Sequence, residues 1–404
     1  MADTIYLDYA ATTPVDPAVV EAMVRYMGPD GVFANPSSTT HPPGQKAGAA
    51  VEDARQQVAA LIKASPDEVL WTSGATESIN LAIKGVADAR VGQGRHIVTT
   101  CLEHSAVLDT CRYLAREGYE ITLLRPDSEG LVRARSVKEA LRADTILVSV
   151  MQVNNETGTI TDVEAIGDIV GERGIPFHVD AAQSVARLPV DVSKANADFM
   201  SLSGHKMYGP KGVGALYIRG RSHPGIGPQI HGGDQEMGLR AGTLPTHQIV
   251  GMGKAAALLT ERRNADVQRA LELEELLLQR LAGVSRMRIN GGGPRAAGIV
   301  NVRFECVDNE SLMMAVRDEV AMSSGSACTS THIEPSHVLL GLGLSVDEAN
   351  TSVRLSLGRF TSSAEVEQAA CLIEGAVDEL RSLSVEWECV RVGGNDPVEG
   401  TIGG

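Results

Sequence analysis

Short strand-like runs alternate with helix-like segments through the first half of the chain. Residues 73–86 and 106–117 have the apolar spacing of helices. Strands that alternate with helices pair in parallel through crossover connections, so this pattern predicts an α/β fold. A further run, 213–218, follows its predecessor too closely for a crossover and is predicted to return antiparallel. The other strand-like runs are 68–72, 96–100, 121–124, 145–153, 175–179 and 199–202.

The pattern changes at about residue 264, where a long helix through Leu281 is predicted, followed by strands at 299–304 and 352–357. With 404 residues, 43% of them hydrophobic, the chain is long enough for two domains. We expect a large α/β domain over residues 16–262. A smaller α+β domain is expected to combine residues 1–15 with 263–392, and the polar, glycine-rich tail 393–404 to be disordered.

Charge and cysteine usage narrow the possible functions. The formal net charge of -15 argues against binding nucleic acid through a basic face and against anionic membranes. The apolar runs are shorter than the roughly 20 residues that span a bilayer, and the N-terminus lacks the pattern of a secretory signal. The six cysteines form no CxxC pair, which argues against a zinc site or a disulfide scaffold. We therefore expect reduced thiols and a cytoplasmic protein.

An acid and a lysine follow two neighbouring strand-like runs. Asp180 comes directly after 175–179, and Lys206 follows 199–202 in the sequence Ser-Gly-His-Lys. Enzymes that use pyridoxal 5'-phosphate (PLP) need a lysine for the covalent link to the cofactor and a carboxylate for its ring nitrogen. The alternative is a surface lysine in a glycine-rich turn. Asp180 and Gln183, which follow the preceding strand-like run, favour the PLP interpretation of Lys206.

The segment Gly74-Ala75-Thr76 lies where a strand is predicted to pass into a helix. Unpaired N–H groups at a helix start favour an anion such as a phosphate, and the Thr76 hydroxyl adds a donor. An ordinary helix cap at Thr72 or Ser73 would explain the same residues. The sequence leaves both interpretations open.

Arg354 has an unusual position for a charged residue. Alternation in 352–357 places Val353, Leu355 and Leu357 on one face of a strand and Arg354 on the other. A guanidinium on the inner face is costly unless it is paired, and it matches a carboxylate with two hydrogen bonds. Arg354 is therefore predicted either to form a structural salt bridge or to bind a carboxylate ligand.

Several motifs, in this order and spacing, resemble the group I cysteine desulfurases of the IscS/NifS type. That family belongs to the fold type I (aspartate-aminotransferase-like) PLP enzymes. The resemblance implies a large α/β domain with a mixed sheet, a smaller α+β domain and PLP as cofactor. The motifs are residues 6–14, 72–78, 103–104, 153–156 and 323–328.

The resemblance implies a role for five residues around the cofactor phosphate. Ala75, Thr76, Ser203 and His205 would hold it in one subunit. Thr243 would reach in from a second subunit, which makes the enzyme a homodimer.

Five residues are implied around the cofactor ring. Lys206 would carry the cofactor, Asp180 would pair with the ring nitrogen, and Gln183 would bind the phenolic oxygen. His104 would stack on the ring and move protons, which suits a side chain whose pKa lies near neutrality. Asn155 would contact both ring and substrate. For His104 a polar loop residue, and for Asn155 a turn residue, are the alternatives.

The implied reaction converts L-cysteine to L-alanine. Arg354 would bind the substrate carboxylate, and Cys328 would take the sulfur as a persulfide for acceptors in iron–sulfur cluster assembly and in tRNA or cofactor thiolation. The loop 323–335 consists mostly of small, polar residues and is expected to be mobile, which suits a sulfur carrier. No stable metal site is implied, although the Cys328 persulfide would be a transient iron–sulfur ligand. The cysteines beside apolar periodic segments are predicted to be buried: Cys101, Cys111, Cys306 and Cys371.

Other readings stay open at this stage. A PLP aminotransferase or C–S lyase would form no persulfide, and Cys328 would then be incidental. A non-catalytic docking hub for sulfur-transfer proteins would not need Lys206. Group II desulfurases carry a shorter cysteine loop. The segment 231–238 is more acidic than the family pattern and the chain after Trp387 does not align, which leaves docking of a scaffold protein or a regulator open.

Overall fold

The computed structural model describes residues 4–220, 226–324, 334–385 and 387–388. These parts of the chain contain twelve strands and eleven α-helices. The strands are β1 Ile5–Tyr6, β2 Val69–Thr72, β3 His96–Thr100, β4 Glu120–Leu124, β5 Thr145–Met151, β6 Phe177–Asp180, β7 Phe199–Ser203, β8 Gly214–Ile218, β9 Met287–Asn290, β10 Ile299–Phe304, β11 Val320–Ala321 and β12 Ser352–Ser356. The helices are α1 Pro17–Val24, α2 Pro42–Ile62, α3 Ala75–Ala89, α4 Ser105–Arg116, α5 Ala134–Ala140, α6 Val163–Gly171, α7 Thr246–Leu281, α8 Asn309–Ala315, α9 His337–Gly341, α10 Val346–Asn350 and α11 Ser363–Ser382.

The largest sheet has seven strands in the order β2-β8-β7-β6-β5-β3-β4. The strands from β7 to β4 are all parallel, while β8 runs antiparallel to both of its neighbours. Each strand predicted in the first half of the chain is therefore confirmed, and so is the antiparallel return of 213–218. Because the parallel strands all end at the same edge, polar residues that follow them lie together.

Helices cover both faces of this sheet. One face packs under α3 and α4, with Ile83 and Leu114 among the buried side chains. The other face packs under α2, α6 and the N-terminal half of α7, with Val58, Ile166 and Met252 buried. The resulting three-layer α/β arrangement is the one that the alternating pattern predicts.

A second hydrophobic core surrounds the antiparallel sheet β12-β10-β9. The C-terminal half of α7 and helix α11 pack on it, and Ile5 and Leu7 of the N-terminal segment are buried in it. β1 pairs in parallel with β11. Residues Ile5 and Leu7 of the N-terminal segment thus pack with the C-terminal region.

Helix α7 corrects one expectation. It begins at Thr246 rather than near residue 264, and its 36 residues pass from the first core to the second. Ile249 and Met252 are buried in the first core, whereas Leu273 and Leu277 are buried in the second. The predicted domain boundary at 262/263 falls inside this helix, so the division into domains stays a prediction.

The cysteine predictions are partly wrong. Cys111 is buried, Cys101 and Cys306 are partly buried, but Cys371 is exposed. Cys371 lies on α11 outside the helical stripe that faces the core, so proximity to apolar residues does not bury it. That stripe consists of Val366, Ala369, Ala370 and Ile373. Cys328, Cys389, most of the loop 323–335 and the tail 393–404 lie outside the described residues.

The acidic segment 231–238 directs one of its charges inward. Glu236 forms a buried ion pair with Arg55, whose Nη2 lies 2.8 Å from Glu236 Oε1. The Glu236 carboxylate also accepts a hydrogen bond from the Trp71 N–H at 2.8 Å. Glu236 therefore holds two segments of the large core together, and only Asp234 adds negative charge to the surface here. None of the described helices has the length and apolarity to cross a bilayer.

Candidate active site

A cavity of about 470 Å³ opens at the carboxyl edge of the seven-stranded sheet. Thr243, the one predicted cofactor residue outside the lining, is exposed on the surface of the chain. The fold brings together residues from the ends of five strands and the connections that follow them. The other nine predicted cofactor residues line the cavity: Ala75, Thr76, His104, Asn155, Asp180, Gln183, Ser203, His205 and Lys206.

Asp180 and Lys206 reach the cavity from adjacent strands. β6 ends at Asp180, and β7 ends at Ser203, after which a short 3-10 turn, Gly204–Lys206, carries the lysine. Asp180 pairs with Ser201 in the parallel register of these strands. The Asp180 carboxylate is 5% exposed and accepts a hydrogen bond from the Ala182 N–H at 2.9 Å. Its orientation is therefore fixed by the loop that follows it.

The start of helix α3 provides an anion site. Gly74 is the N-cap residue and makes no side-chain cap bond, so neither Thr72 nor Ser73 caps the helix. The N–H groups of Ala75 and Thr76 have no hydrogen-bond partner within the described parts of the chain. Free donors at a helix start that lines a cavity match a phosphate group. The helix-cap alternative is thus not what the structure contains.

Two glycines make this helix start possible. Gly74 has a φ of 156°, and a Cβ added at Gly214 of β8 would lie 2.6 Å from the Gly74 Cα. A side chain at Gly214 would push β8 away from the turn, whereas at Gly74 a Cβ has space but the positive φ disfavours any residue other than glycine. The close approach of β8 therefore fixes where the free N–H groups lie.

His104 is the N-cap residue of α4. Its Nδ1 accepts a hydrogen bond from the Ala106 N–H at 3.1 Å, so a neutral ring carries its proton on Nε2. Burial, followed by the positive charge of Lys206, lowers the pKa of His104. The ring is therefore neutral at pH 7, and its Nε2–H can donate a hydrogen bond.

His205 and Gln183 are held against the N-terminal segment. Burial, followed by the charges of Lys206 and Lys211, lowers the pKa of His205 to about 4. The His205 Nδ1 lies 3.1 Å from the Thr12 Oγ1. The Gln183 Nε2 donates to the Ala10 carbonyl at 2.7 Å. These contacts join the segment around residues 10–13 to the wall of the cavity.

Arg354 forms the salt bridge that the sequence left open. Its Nη2 lies 2.7 Å from the Asp8 Oδ1, and its Nη1 donates to the Asn155 carbonyl at 2.9 Å. The guanidinium is buried, and its Nε has no hydrogen-bond partner in the portion of the chain that is described. Arg354 does not itself line the cavity but contacts the backbone of Asn155, which does. A role in substrate binding stays a prediction.

Sequence reasoning gave no role to a second buried carboxyl beside the cavity, Glu103. Its Oε1 accepts hydrogen bonds from the Thr100 hydroxyl at 2.8 Å and the Met151 N–H at 3.0 Å. Its Oε2 has no partner among the residues described. Burial raises the pKa of Glu103 to about 8, with a further contribution from Asp180. The available signal was the Glu103-His104 pair three residues after a buried strand, because burying a carboxyl there is costly unless it is hydrogen-bonded.

The comparisons with known proteins agree with this geometry. The sequence matches the family described as Aminotransferase class-V over residues 5–369. The chain belongs to the class-V aminotransferase family. It is also 51% identical over 390 residues to the cysteine desulfurase IscS of Shewanella oneidensis, an alignment that covers 96% of each chain. Within the class-V aminotransferases it therefore falls among the IscS-type cysteine desulfurases.

Solved structures of the class-V aminotransferases support the fold. A NifS-like protein superposes with a TM-score of 0.87 at 33% identity, covering 93% of this chain and all of that one. A protein described as SspA in complex with cysteine gives a TM-score of 0.80 at 40% identity, covering 89% and 100%. The predicted fold type I architecture is confirmed, and the family is PLP-dependent.

The residues of the cavity fit PLP. The helix start supplies donors for a phosphate, Asp180 is an oriented carboxylate, and Lys206 provides an amine in the same cavity. By contrast, the described residues contain no group of three or more His, Cys, Asp or Glu that could hold a metal ion.

Proposed function

We propose that this chain converts L-cysteine to L-alanine, stores the released sulfur on Cys328 as a persulfide and passes it to acceptor proteins. The cavity that joins Lys206, Asp180 and His104 to the free start of α3 is the observation that carries this proposal. The acceptors would serve iron–sulfur cluster assembly and tRNA or cofactor thiolation, in a cytoplasmic location. The membership of the IscS-type desulfurases supports this destination of the sulfur.

Three groups of residues would hold the cofactor. The first turn of α3 with Thr76, Ser203 and His205 would bind the phosphate, Asp180 would keep the ring nitrogen protonated, and Lys206 would form the covalent link. When bound, PLP supplies an electron sink for bond cleavage next to the amino group of the substrate. Burial of Asp180 strengthens its interaction with the ring nitrogen, because a charge pair is stronger in a low dielectric.

Lys206 and His104 would move the protons. Lys206 Nζ would take the proton from the substrate Cα. His104 donates from Nε2, since its Nδ1 is already occupied by the Ala106 N–H. The lowered pKa of His104 keeps the ring neutral, so Nε2–H would orient the substrate through a hydrogen bond; to accept a proton at Nε2 the ring would first take the tautomer protonated on Nδ1.

Cys328 would be the sulfur acceptor. Its Sγ attacks the substrate sulfur, an S–S bond forms, and the bond between that sulfur and the substrate Cβ breaks. The electron pair of the broken bond stays with carbon, which gains a proton and leaves as alanine. One sulfur atom is thereby transferred with no outside oxidant. Cys328 lies outside the described residues, so this role is supported by the resemblance of residues 323–328 to the family motif.

Arg354 would bind the substrate carboxylate together with Asn155. Its Nε is buried without a partner among the described residues, and its present partner Asp8 is 18% exposed at the side chain. A substrate carboxylate could compete with Asp8 for this guanidinium, since a two-bond contact is stronger than the single bond that Asp8 makes.

We expect the active unit to be a homodimer. Thr243 is exposed and lies outside the cavity of its own chain, which is the position expected if it completes the phosphate site of a neighbour. Light scattering of the active enzyme should give the mass of two chains. An active monomer at working concentration would contradict this part of the proposal.

One experiment tests the central claim. Purified enzyme is given L-cysteine, and alanine, pyruvate and protein-bound sulfur are measured in the wild type, Cys328→Ser and Cys371→Ser. Wild type and Cys371→Ser should form alanine and add one sulfur to Cys328. Cys328→Ser should lose alanine formation by about three orders of magnitude, because the covalent route is removed.

The same samples separate the alternatives. Borohydride reduction and peptide mass spectrometry should find the cofactor on Lys206 in all three proteins. Pyruvate as the main product, or alanine at wild-type rate in Cys328→Ser, would favour an aminotransferase or lyase. Absence of the cofactor from Lys206, with no product from L-cysteine, would favour the docking hub.

A further inference from the structure

A second cavity, of about 440 Å³, lies between helices α4 and α9 and the edge strand β4. None of its lining residues lines the cavity described above. Its walls are mainly apolar, with Leu108, Ile121 and Leu340 below the rim and Leu123 50% exposed at its mouth. This volume lies within the range of small-molecule sites, and the apolar lining favours an apolar ligand.

The charged groups at the rim of this cavity are all basic. Arg112, Arg125 and His337 line it, and its described lining contains no Asp or Glu. Arg112 pairs with Asp109. Arg125 is exposed and makes no ion pair or hydrogen bond within the described ranges. An apolar cavity with one uncommitted guanidinium is complementary to an amphipathic anion, and guanidinium geometry favours a carboxylate.

His337 connects this cavity to the candidate active site. Its Nε2 donates to the Glu103 carbonyl at 2.9 Å, and Glu103 directly precedes His104. A ligand in contact with His337 would therefore be connected to the candidate active site through the backbone of Glu103, which directly precedes His104. This contact also fixes the His337 ring, so that the wall it forms is present before any ligand binds.

We propose that this cavity binds a medium-chain carboxylate, with its alkyl chain among Leu108, Leu123 and Leu340 and its carboxylate on Arg125. The site is defined by its own residues and does not rest on the proposed function. Octanoate is a suitable probe, and octanol is its uncharged counterpart.

Calorimetric titration of the PLP-loaded enzyme tests the charge contribution. Octanoate should bind with one site per chain, and octanol about tenfold more weakly, the effect expected when a charge-assisted hydrogen bond is lost. Arg125→Gln should weaken octanoate binding about tenfold and leave octanol unchanged. Ala115→Trp, which adds a ring at the rim, should weaken both. Arg317→Gln, an exposed arginine beside the second core, is the matched control and should bind as wild type.

Cysteine alkylation locates the ligand independently. Cys101 lines the cavity and is partly buried, whereas Cys371 is exposed on α11 outside it. Octanoate should slow alkylation of Cys101 by iodoacetamide at least about threefold and leave Cys371 unchanged, as measured on peptides by mass spectrometry. Absence of octanoate binding, binding without protection of Cys101, or equal protection in Arg125→Gln would overturn the proposal.

Discussion

His178, which is buried, and His104, which is partly buried, both lie at the seven-stranded sheet, yet they differ in what their ring nitrogens contact. His178 lies inside the sheet, where Ser149 and Ser201 each approach one nitrogen at 2.8 Å. His104 lies at the carboxyl edge, where Nδ1 has a partner and Nε2 has none among the residues that the structure describes. Burial lowers the pKa of both rings. A lowered pKa therefore does not separate the two rings, whereas the hydrogen bonding of their nitrogens within the described residues does.

Two of the buried arginines, Arg55 and Arg354, show the same contrast. Arg55 makes two hydrogen bonds to the Glu236 carboxylate and one to the Val69 carbonyl. Arg354 makes one contact with Asp8 and one with the Asn155 carbonyl, and its Nε is unpartnered within the described residues. The side-chain nitrogens of Arg55 and His178 all have partners, whereas Arg354 and His104 beside the cavity each keep one nitrogen without a partner among the described residues. This difference can be tested with variants.

The largest effect is expected at Lys206. Lys206→Ala should reduce alanine formation by about four orders of magnitude or more, because both the cofactor link and the base for the Cα proton are removed. Lys138→Ala, an exposed lysine on α5, should retain wild-type activity. Alanine is measured by chromatography under saturating L-cysteine. Substantial activity in Lys206→Ala would mean that Lys206 is not needed for alanine formation. The cavity edge would then no longer differ from the large core in having groups that act on a ligand.

Replacement of the two arginines should separate stability from substrate binding. Arg55→Met should cost about 3–5 kcal/mol of unfolding free energy, since it leaves Glu236 charged and buried without its partner. Arg354→Met should destabilise less, because Asp8 is partly exposed, but should raise the KM for L-cysteine. Denaturant unfolding and steady-state kinetics measure the two effects. Equal loss of stability with an unchanged KM in Arg354→Met would make Arg354 structural.

A saturated, buried histidine should make stability depend on acid. Burial lowers the pKa of His178 to about 3, so the unfolded state takes up a proton below pH 6.5 while the folded state does not. Stability attributable to His178 is complete above pH 6.5 and is lost as the pH falls towards 3, by about 1.4 kcal/mol per pH unit. His178→Gln should flatten this slope between pH 6.5 and 4, whatever its absolute stability. An unchanged slope would contradict the assignment.

Glu103 should give a smaller dependence of the opposite sign. Its folded pKa, about 8, is above its unfolded value, so the contribution of Glu103 is most favourable below pH 4.5 and is lost as the pH rises towards 8. Two hydrogen bonds to Oε1 stabilise the ionised form and limit the loss. Glu103→Gln keeps an oxygen that can accept both hydrogen bonds. Compared with wild type at the same pH, it should raise the thermal midpoint more at pH 8 than at pH 5. A lower thermal midpoint for Glu103→Gln than for wild type at pH 8 would mean that the folded protein favours the charged Glu103 carboxylate at that pH.

Local pattern predicted much of this structure. The seven strands of the large sheet follow from short apolar runs between helices. Of the nine cavity residues, Ala75, Thr76, Asp180 and Lys206 were also indicated by their places after those strands, whereas the assignment of the others rested on the resemblance to the family. The pairing of Asp8 with Arg354 could not be read from pattern, because 346 residues separate them. The start of α7 was missed for another reason. Gly251 and Gly253 suggest a helix break, but an added Cβ at Gly253 would lie 2.6 Å from the Ala54 Cα of α2, so this glycine permits close helix packing.

Helix α7 also limits how the chain can be divided. Its 36 residues form a rod of about 54 Å that the two cores share. A fragment that ends at residue 262 would keep Met252 and Leu259 of the first core but would end in the middle of the helix. The remaining fragment would lack the first turns of α7, which nucleate the helix that carries Leu273 and Leu277. Neither fragment could be exchanged between relatives as a module. The smallest unit that can be transplanted, permuted or expressed alone therefore contains the whole of α7 together with both cores.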